Sequence, residues 1–202
     1  MYESYKNARN AAWRILIKYN IRKLPVDVFS ICQQEGFLLL PYSRTGRDLQ
    51  TLRLSNHAGR TDGFSMRYNE HLLLFYDDTK SRQRQRFTVG HELGHYLNGD
   101  ISDSPTKMNA EPTSGDDPRE TQANITASRI LSPACVLWGL DAFDAETIAN
   151  ICDISITAAR WRAERMQELL RRDREYHARY GHGCFLMSPM ERKVYAQFFK
   201  GR

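Results

Sequence analysis

Two histidines four residues apart, within RFTVGHELGHYLNG at residues 86–99, restrict the possible folds of this chain strongly. Residues four apart lie on one face of an α-helix, one turn above each other, so His91 and His95 can bind one tetrahedral Zn²⁺. Glu92 lies beside that face, where it can reach a water on the metal but is poorly placed to be a ligand. Zinc lowers the pKa of such a water from ~15.7 to about 7. We therefore predict that Glu92 acts as general base and acid in peptide-bond cleavage.

The motif lies in a segment with the pattern of a half-buried helix. Val89, Leu93 and Leu97 recur every four residues and form an apolar side, and Gly99 follows them, as at a helix C-terminus. With 6 histidines in 202 residues, the pattern H-E-x-x-H is expected about 0.01 times by chance. We therefore interpret it as a metal site rather than as a surface helix with two unrelated histidines.

A catalytic zinc needs a third protein ligand and one open position. The pattern H-E-x-x-H-x-x-G-x-x-H would supply a third histidine, but Asn98 and Ile101 occupy its Gly and His positions. A following helix, predicted to begin after Asp117 and to be closed by Pro133, offers Glu120 instead. With Asp117 as N-cap, however, Glu120 falls at the third helical position, where capping carboxylates are common. Spacing alone leaves both roles of Glu120, metal ligand and helix cap, open.

The two segments together resemble the ImmA/IrrE family of zinc metallopeptidases. The family has an Arg-Phe-Thr run before the H-E-x-x-H helix, matched by residues 86–88, and then a helix of the form E-x-x-A-N-x-x-A-x-x-L-x-x-P. ETQANITASRILSP at residues 120–133 is similar to this second pattern, except that Ile125-Thr126 replaces the usual bulky aromatic before the alanine. The resemblance covers roughly residues 20–165. It implies that Glu120 is the third metal ligand, as in a gluzincin-like site.

The resemblance also implies a fold and a function. The expected fold is α+β: a small zincin-like core, with a short three-stranded sheet beside the two motif helices, and a C-terminal helical, helix-turn-helix-like segment. We expect residues 1–140 to form the core and residues 141–202 to form the helical segment, packed on it. We expect one Zn²⁺ per chain, with Mn²⁺ or another divalent ion as the alternative. The implied activity is cleavage of a specific helix-turn-helix repressor, which relieves repression of a mobile element or a stress response.

Two stretches carry no regular pattern. Residues 43–60 are polar and give no assignment, while residues 101–118 are predicted to be a connector, with a lid that orders over substrate as the alternative. A capping box at Ser188 to Glu191 predicts a final amphipathic helix. The remaining elements follow from periodicity and turn residues: helices at 4–20 and 25–36, a buried strand at 37–42, and strands at 63–68 and 71–76 that are joined at Asn69-Glu70.

Residues 145–171 resemble a helix-turn-helix with its turn near Ile154-Ser155. Arg160, Arg162 and Arg165 are predicted to decorate the second helix, as in a protein that contacts DNA. Acidic residues alternate with these arginines, however, and an aspartate replaces the usual turn glycine. A docking surface for another protein is therefore favoured over direct DNA binding.

The same segment supports a second hypothesis about function. The protein would be a non-catalytic, metal-containing regulator that binds DNA or a partner protein through residues 145–171. The intact Glu92 argues against this hypothesis, because a structural metal site has no use for a base at that position.

Composition narrows the class of protein further. The net charge of +5 and the isoelectric point near 9.1 are only mildly basic, unlike a tail that coats nucleic acid. The four cysteines form no C-x-x-C pair, which favours free thiols in a reducing compartment. No apolar run approaches ~18 residues, and the N-terminus has no signal-peptide pattern. We therefore predict a cytoplasmic protein without a membrane partner.

Overall fold

The computed structural model describes residues 2–104, 117–180 and 187–199. Contacts divide the described chain into two compact units, one from residues 2–12, 27–104 and 117–130 and the other from residues 13–26, 131–180 and 187–199. The helices are α1 (Tyr2–Lys18), α2 (Val28–Gln34), α3 (Gly46–Thr51), α4 (Ser55–Ala58), α5 (Arg82–Asn98), α6 (Pro118–Leu131), α7 (Ala134–Gly139), α8 (Ala145–Cys152), α9 (Ile156–Tyr180) and α10 (Pro189–Phe199); the strands are β1 (Phe37–Pro41), β2 (Gly63–Tyr68) and β3 (His71–Tyr76).

The first unit contains a three-stranded sheet in the order β1-β3-β2. β2 and β3 form an antiparallel hairpin in which Tyr68 pairs with His71. Asn69 and Glu70 form its two-residue turn with φ of 46° and 65°, the positive values that a type I′ turn requires. β1 pairs in parallel with β3. This small sheet among many helices confirms the predicted α+β fold and hairpin.

Side-chain alternation gives the two faces of the sheet different neighbours. One face packs against the short helices α3 and α4 of the region that had no sequence assignment. The other face lies against α5, and a Cβ placed on Gly63 of β2 would overlap the side chain of Thr88. The H-E-x-x-H helix α5 therefore packs directly against the edge strand β2. The core on the first face consists of Leu49, Phe64, Met66, Leu73 and Phe75.

Two details of the first unit differ from the sequence predictions. α2 begins at Val28 rather than Pro25, because the Asp27 carboxylate accepts a hydrogen bond from the Ser30 N–H at 3.1 Å and so caps the helix there. β1, predicted as a buried strand, lies at the sheet edge, where Leu38 is 49% exposed. An apolar run alone does not distinguish a central strand from an edge strand.

In the second unit, α8 and α9 are joined by a short turn at residues 153–155. Asp153 has φ of 50°, the left-handed conformation that Asp tolerates better than most residues. This explains how Asp153 can replace a turn glycine, and the predicted pair of helices is confirmed. The capping box before α10 is also present, since Ser188 and Glu191 exchange side chain-to-backbone hydrogen bonds of 3.3 and 2.8 Å.

The prediction that Arg162 is exposed on α9 was wrong. Its side chain is 7% exposed, and its Nε donates to Ser132 Oγ at 3.0 Å. Ala159 and Met166, three residues before and four after it, are fully buried, so Arg162 lies on the inner face of the helix. Arg160 and Arg165 are exposed, as predicted.

Three further predictions concern membrane spans, residues 101–118 and the division into domains. Within the described ranges, no helix is long and apolar enough to cross a membrane. Most of the predicted connector or lid at residues 101–118 lies outside the described residues. The division into residues 1–140 and 141–202 concerns which parts fold independently, and it stays a prediction.

Candidate metal centre

α5 and α6 cross at two small residues, Gly94 and Ala123. A Cβ placed on Gly94 would lie 2.8 Å from the carbonyl oxygen of Ala123 and 2.9 Å from its Cα. Only glycine permits so close an approach of the two backbones. Because α6 lies this near, Glu120 and Asn124, on either side of Ala123 in the sequence, both reach the histidines of α5.

We expect Gly94→Ala to push α5 and α6 apart and to weaken both folding and metal binding. Overpacking of this kind costs about 1–3 kcal/mol, which exceeds the ~1 kcal/mol that alanine gains in helix propensity. Urea unfolding and zinc titration measure the two effects. Gly46→Ala in α3 is the matched control, because a Cβ there has no neighbour within 4 Å. Equal zinc affinity and stability in Gly94→Ala and wild type would contradict this account of the crossing.

Three side chains place their ligand atoms around one point. The Nε2 atoms of His91 and His95 are 3.0 Å apart. The two carboxylate oxygens of Glu120 lie 3.1 Å from His91 Nε2 and 3.3 Å from His95 Nε2. Both histidines are 2% exposed. The sequence prediction named these three residues, and the structure brings their side chains together.

The other ring nitrogens of the two histidines have acceptors. His91 Nδ1 lies 2.9 Å from Asn124 Oδ1, and His95 Nδ1 lies 3.1 Å from Asp100 Oδ2. Each Nδ1 therefore carries the proton in the neutral ring, which leaves the lone pair on Nε2. This is the tautomer that a metal-binding histidine needs.

Sequence reasoning did not identify these two partners. Asn124 was matched to the family pattern without a role, and Asp100 was not singled out. Their positions in the sequence could have identified both residues. Asn124 lies one turn after Glu120 on α6, and Asp100 directly follows the glycine that ends α5. Gly99 has φ of 83°, a turn that brings the next residue back towards the last helical turn.

Glu92 is fully buried and accepts a hydrogen bond of 2.5 Å from the hydroxyl of Ser65 on β2. A Glu92 oxygen also lies within 4.8 Å of ligand atoms of His91 and His95, so proximity alone admits it as a fourth donor. The Glu120 carboxylate contacts both Nε2 atoms, at 3.1 and 3.3 Å. Ser65 is a third residue that the sequence did not reveal, since nothing in a strand pattern links it to a helix residue 27 positions later.

The electrostatics of the site favour a bound cation. Burial by itself lowers the pKa of His95, but the hydrogen bonds that its ring donates to Glu120 and Asp100, together with the charge of Glu92, raise it to about 9. Burial by itself raises the pKa of Glu120, but hydrogen bonds from His91 and His95 lower it to about 2. Two imidazole lone pairs and a carboxylate that face one point form a donor set suited to Zn²⁺. Without a metal, a proton on His95 balances the negative charge of the neighbouring carboxylates.

Zinc binding is expected to release about one proton from His95 at neutral pH. The raised pKa keeps the metal-free ring protonated up to about pH 9, and zinc needs the Nε2 lone pair. Apparent zinc affinity should therefore rise with pH, by about tenfold per unit between pH 7 and pH 9, and level off above that. Calorimetry in buffers of different ionisation enthalpy counts the protons. An affinity that is independent of pH in this range would contradict the prediction.

An H-E-x-x-H helix facing a glutamate from the next long helix, on a small zincin-like core, is the arrangement of a metallopeptidase and suggests a divalent metal. The family model of the IrrE N-terminal-like domain, Peptidase_M78, matches residues 43–172. The chain therefore belongs to this family, which confirms the resemblance drawn from residues 86–88 and 120–133. A search of curated proteins finds no match.

Proposed function

We propose that the protein is a zinc-dependent endopeptidase in which His91, His95 and Glu120 bind the metal. The main support is the contact of the Glu120 carboxylate with both Nε2 atoms, at 3.1 and 3.3 Å. A carboxylate that served only as a helix cap would turn towards its own backbone. Asn124 and Asp100 would hold the two imidazole rings in the binding tautomer.

Glu92 is the proposed general base and acid. When bound, zinc would supply a Lewis acid that polarises the peptide carbonyl and makes water more acidic. Glu92 takes a proton from the attacking water and donates it to the leaving amine. The hydroxyl of Ser65 donates to one oxygen of Glu92 at 2.5 Å and so fixes the direction of the carboxylate.

We expect Ser65→Ala to lower kcat by about tenfold or more while the zinc content stays near one per chain. The variant leaves a buried carboxylate oxygen without this donor, which costs about 1–3 kcal/mol and lets Glu92 rotate. Ser65→Thr keeps a hydroxyl at the same position and should restore much of kcat. Steady-state kinetics with metal analysis test this, and an unchanged kcat in Ser65→Ala would remove Ser65 from the mechanism.

We propose further that the substrate is a specific helix-turn-helix repressor and that its cleavage relieves repression of a mobile element or a stress response. Family membership supports a protein substrate. In the described part of the chain, Cys32, Cys135 and Cys152 are buried and form no disulfide, which supports the proposed cytoplasmic location, where thiols stay reduced.

Incubation of the zinc-loaded protein with any helix-turn-helix repressor that is encoded beside its gene tests this proposal. Mass spectrometry should find two fragments from one cut, and the Glu92→Gln protein should produce none. An intact repressor, combined with cleavage of other proteins, would change the proposed substrate. No cleavage by fully zinc-loaded protein of any candidate would favour the regulator hypothesis instead.

A non-catalytic regulator is the second candidate function. The helix-turn-helix arrangement of α8 and α9, with Arg160 and Arg165 exposed on α9, favours it. It predicts sequence-specific binding of DNA or a partner that Glu92→Gln leaves unchanged. The buried Glu92 beside the histidines is the observation that it does not explain.

A further inference from the structure

The start of α9 carries an unusually exposed apolar surface. Trp161 is 71% exposed and Ile156 is 42% exposed, although tryptophan is highly buried on average. Arg160, Glu164 and Arg165 are exposed on the same two turns. We call these five residues the Trp161 surface.

The two arginines of the Trp161 surface differ from Arg171 and Arg172 farther along α9. Arg171 pairs with Glu168 at 2.9 Å and with Glu175 at 2.5 Å, and Arg172 also pairs with Glu168. In the part of the chain that the structure describes, Arg160 and Arg165 have neither a hydrogen bond nor an ion pair. The surface therefore presents two arginines that no ion pair holds within the described chain, against the single carboxylate of Glu164.

A groove beside the Trp161 surface provides room for a bound segment. Its volume is about 710 Å³, and it runs between the start of α8 and α9. Ala145 and Ala163 line it with small side chains, while Arg160 and Glu164 belong both to the groove and to the Trp161 surface. The rest of the lining is Gln167 and the ion pair of Glu168 with Arg171. Small side chains allow a partner backbone to approach closely, and an arginine at the margin can hold a carboxylate.

The charges around α8 argue against DNA as the ligand of this surface. In a helix-turn-helix that binds DNA, the first helix crosses the phosphate backbone. Here Asp144 caps the start of that helix and Glu146 lies in its first turn. Glu164 adds a third carboxylate on α9. These groups repel phosphates, whereas a protein segment can place its own polar groups to avoid them.

We propose that the Trp161 surface binds an acidic segment of a partner protein, with apolar side chains on Trp161 and Ile156 and carboxylates on Arg160 and Arg165. Tryptophan and arginine are enriched among the few residues that carry most of the binding energy in protein interfaces. If the protein is a peptidase, as proposed above, this partner is its substrate, and only that last identification rests on the proposed function.

The test uses tryptophan fluorescence and the anisotropy of labelled peptide, with the whole chain carrying Glu92→Gln so that no cleavage interferes. The probes are a synthetic peptide of alternating Glu-rich and Leu-rich turns, its version with Gln at every Glu, and a random-sequence DNA duplex. The variants are Trp161→Ala, read by anisotropy of labelled peptide, and the double charge reversal Arg160→Glu/Arg165→Glu. Arg174→Glu is the matched control, because Arg174 is an exposed arginine on the same helix outside the surface.

The acidic peptide should bind with a Kd at least about tenfold below that of the Gln peptide, and each test variant should raise the Kd about tenfold or more. Arg174→Glu should change it little. Equal binding of both peptides would overturn the proposal, as would tighter binding of DNA than of peptide. A loss of affinity for the acidic peptide in Arg174→Glu as large as in the test variants would also overturn it. Because binding is measured without catalysis, a failed peptidase assay leaves this result standing, and a failed binding assay leaves the peptidase proposal standing.

Discussion

Glu92→Gln is expected to stop peptide-bond cleavage while leaving the metal in place. Glutamine has nearly the same shape and its amide oxygen can still accept the hydrogen bond from Ser65, but it cannot take a proton from water. Loss of a general base lowers kcat by about 10²–10⁴-fold. Fragment analysis gives the rate, and elemental analysis of the same sample gives the metal content.

The metal content of Glu92→Gln also decides between two roles for Glu92. A Glu92 oxygen lies close enough to the histidine ligand atoms to be a donor itself. If Glu92 is the base, zinc stays near one per chain and only cleavage is lost. If cleavage and zinc disappear together, Glu92 is a ligand and the assignment of the base is wrong.

Glu120→Gln is expected to lower zinc affinity by more than the roughly 10–100-fold that follows loss of a residue behind the ligands. A neutral amide oxygen is a weaker donor to Zn²⁺ and leaves two histidines to hold the ion. The helix itself should tolerate the change, because Gln also serves at the third helical position and only a charge–dipole contribution of ~0.3–1 kcal/mol is lost. Competition titration with a zinc chelator measures the affinity.

A matched control separates the ligand role of Glu120 from the capping role. Glu191 occupies the third position of α10, where it accepts a hydrogen bond from the Ser188 N–H at 2.8 Å. Glu191→Gln repeats the same substitution at the same helix position and should leave zinc affinity unchanged. If Glu120→Gln is as mild as Glu191→Gln, Glu120 is a cap, and the third ligand must be sought elsewhere.

The parts of the fold that the sequence predicted best are those fixed by local pattern. The β2–β3 hairpin, the start of α6 at Pro118 and the end of α5 at Gly99 all follow from turn or capping residues, whose conformations depend on nearby residues only. The position of β1 at the sheet edge and the burial of Arg162 depend on packing against distant residues. Periodicity could have placed Arg162, since it falls on the face defined by Ala159 and Met166.

In the candidate site, too, local pattern predicted some residues, and packing of distant parts of the chain placed the others. His91, Glu92 and His95 are adjacent in one helix, so their spacing alone predicts a site. Ser65, Asp100 and Asn124 contact them from a strand, a turn and another helix. A strand position, a turn carboxylate and a helix amide have many other uses, and only the folded chain places them within hydrogen-bond distance. Family resemblance supplied the role of Glu120, which spacing left open.

The central claim is that one metal ion is held by His91, His95 and Glu120. Diffraction from crystals of the zinc-loaded protein, recorded on both sides of the zinc absorption edge, tests it most directly. We predict one anomalous peak per chain, about 2.0–2.2 Å from the Nε2 atoms of both histidines and from an oxygen of Glu120. A peak at another position, or a peak on the two histidines with the Glu120 carboxylate turned back onto the start of α6, would contradict the account.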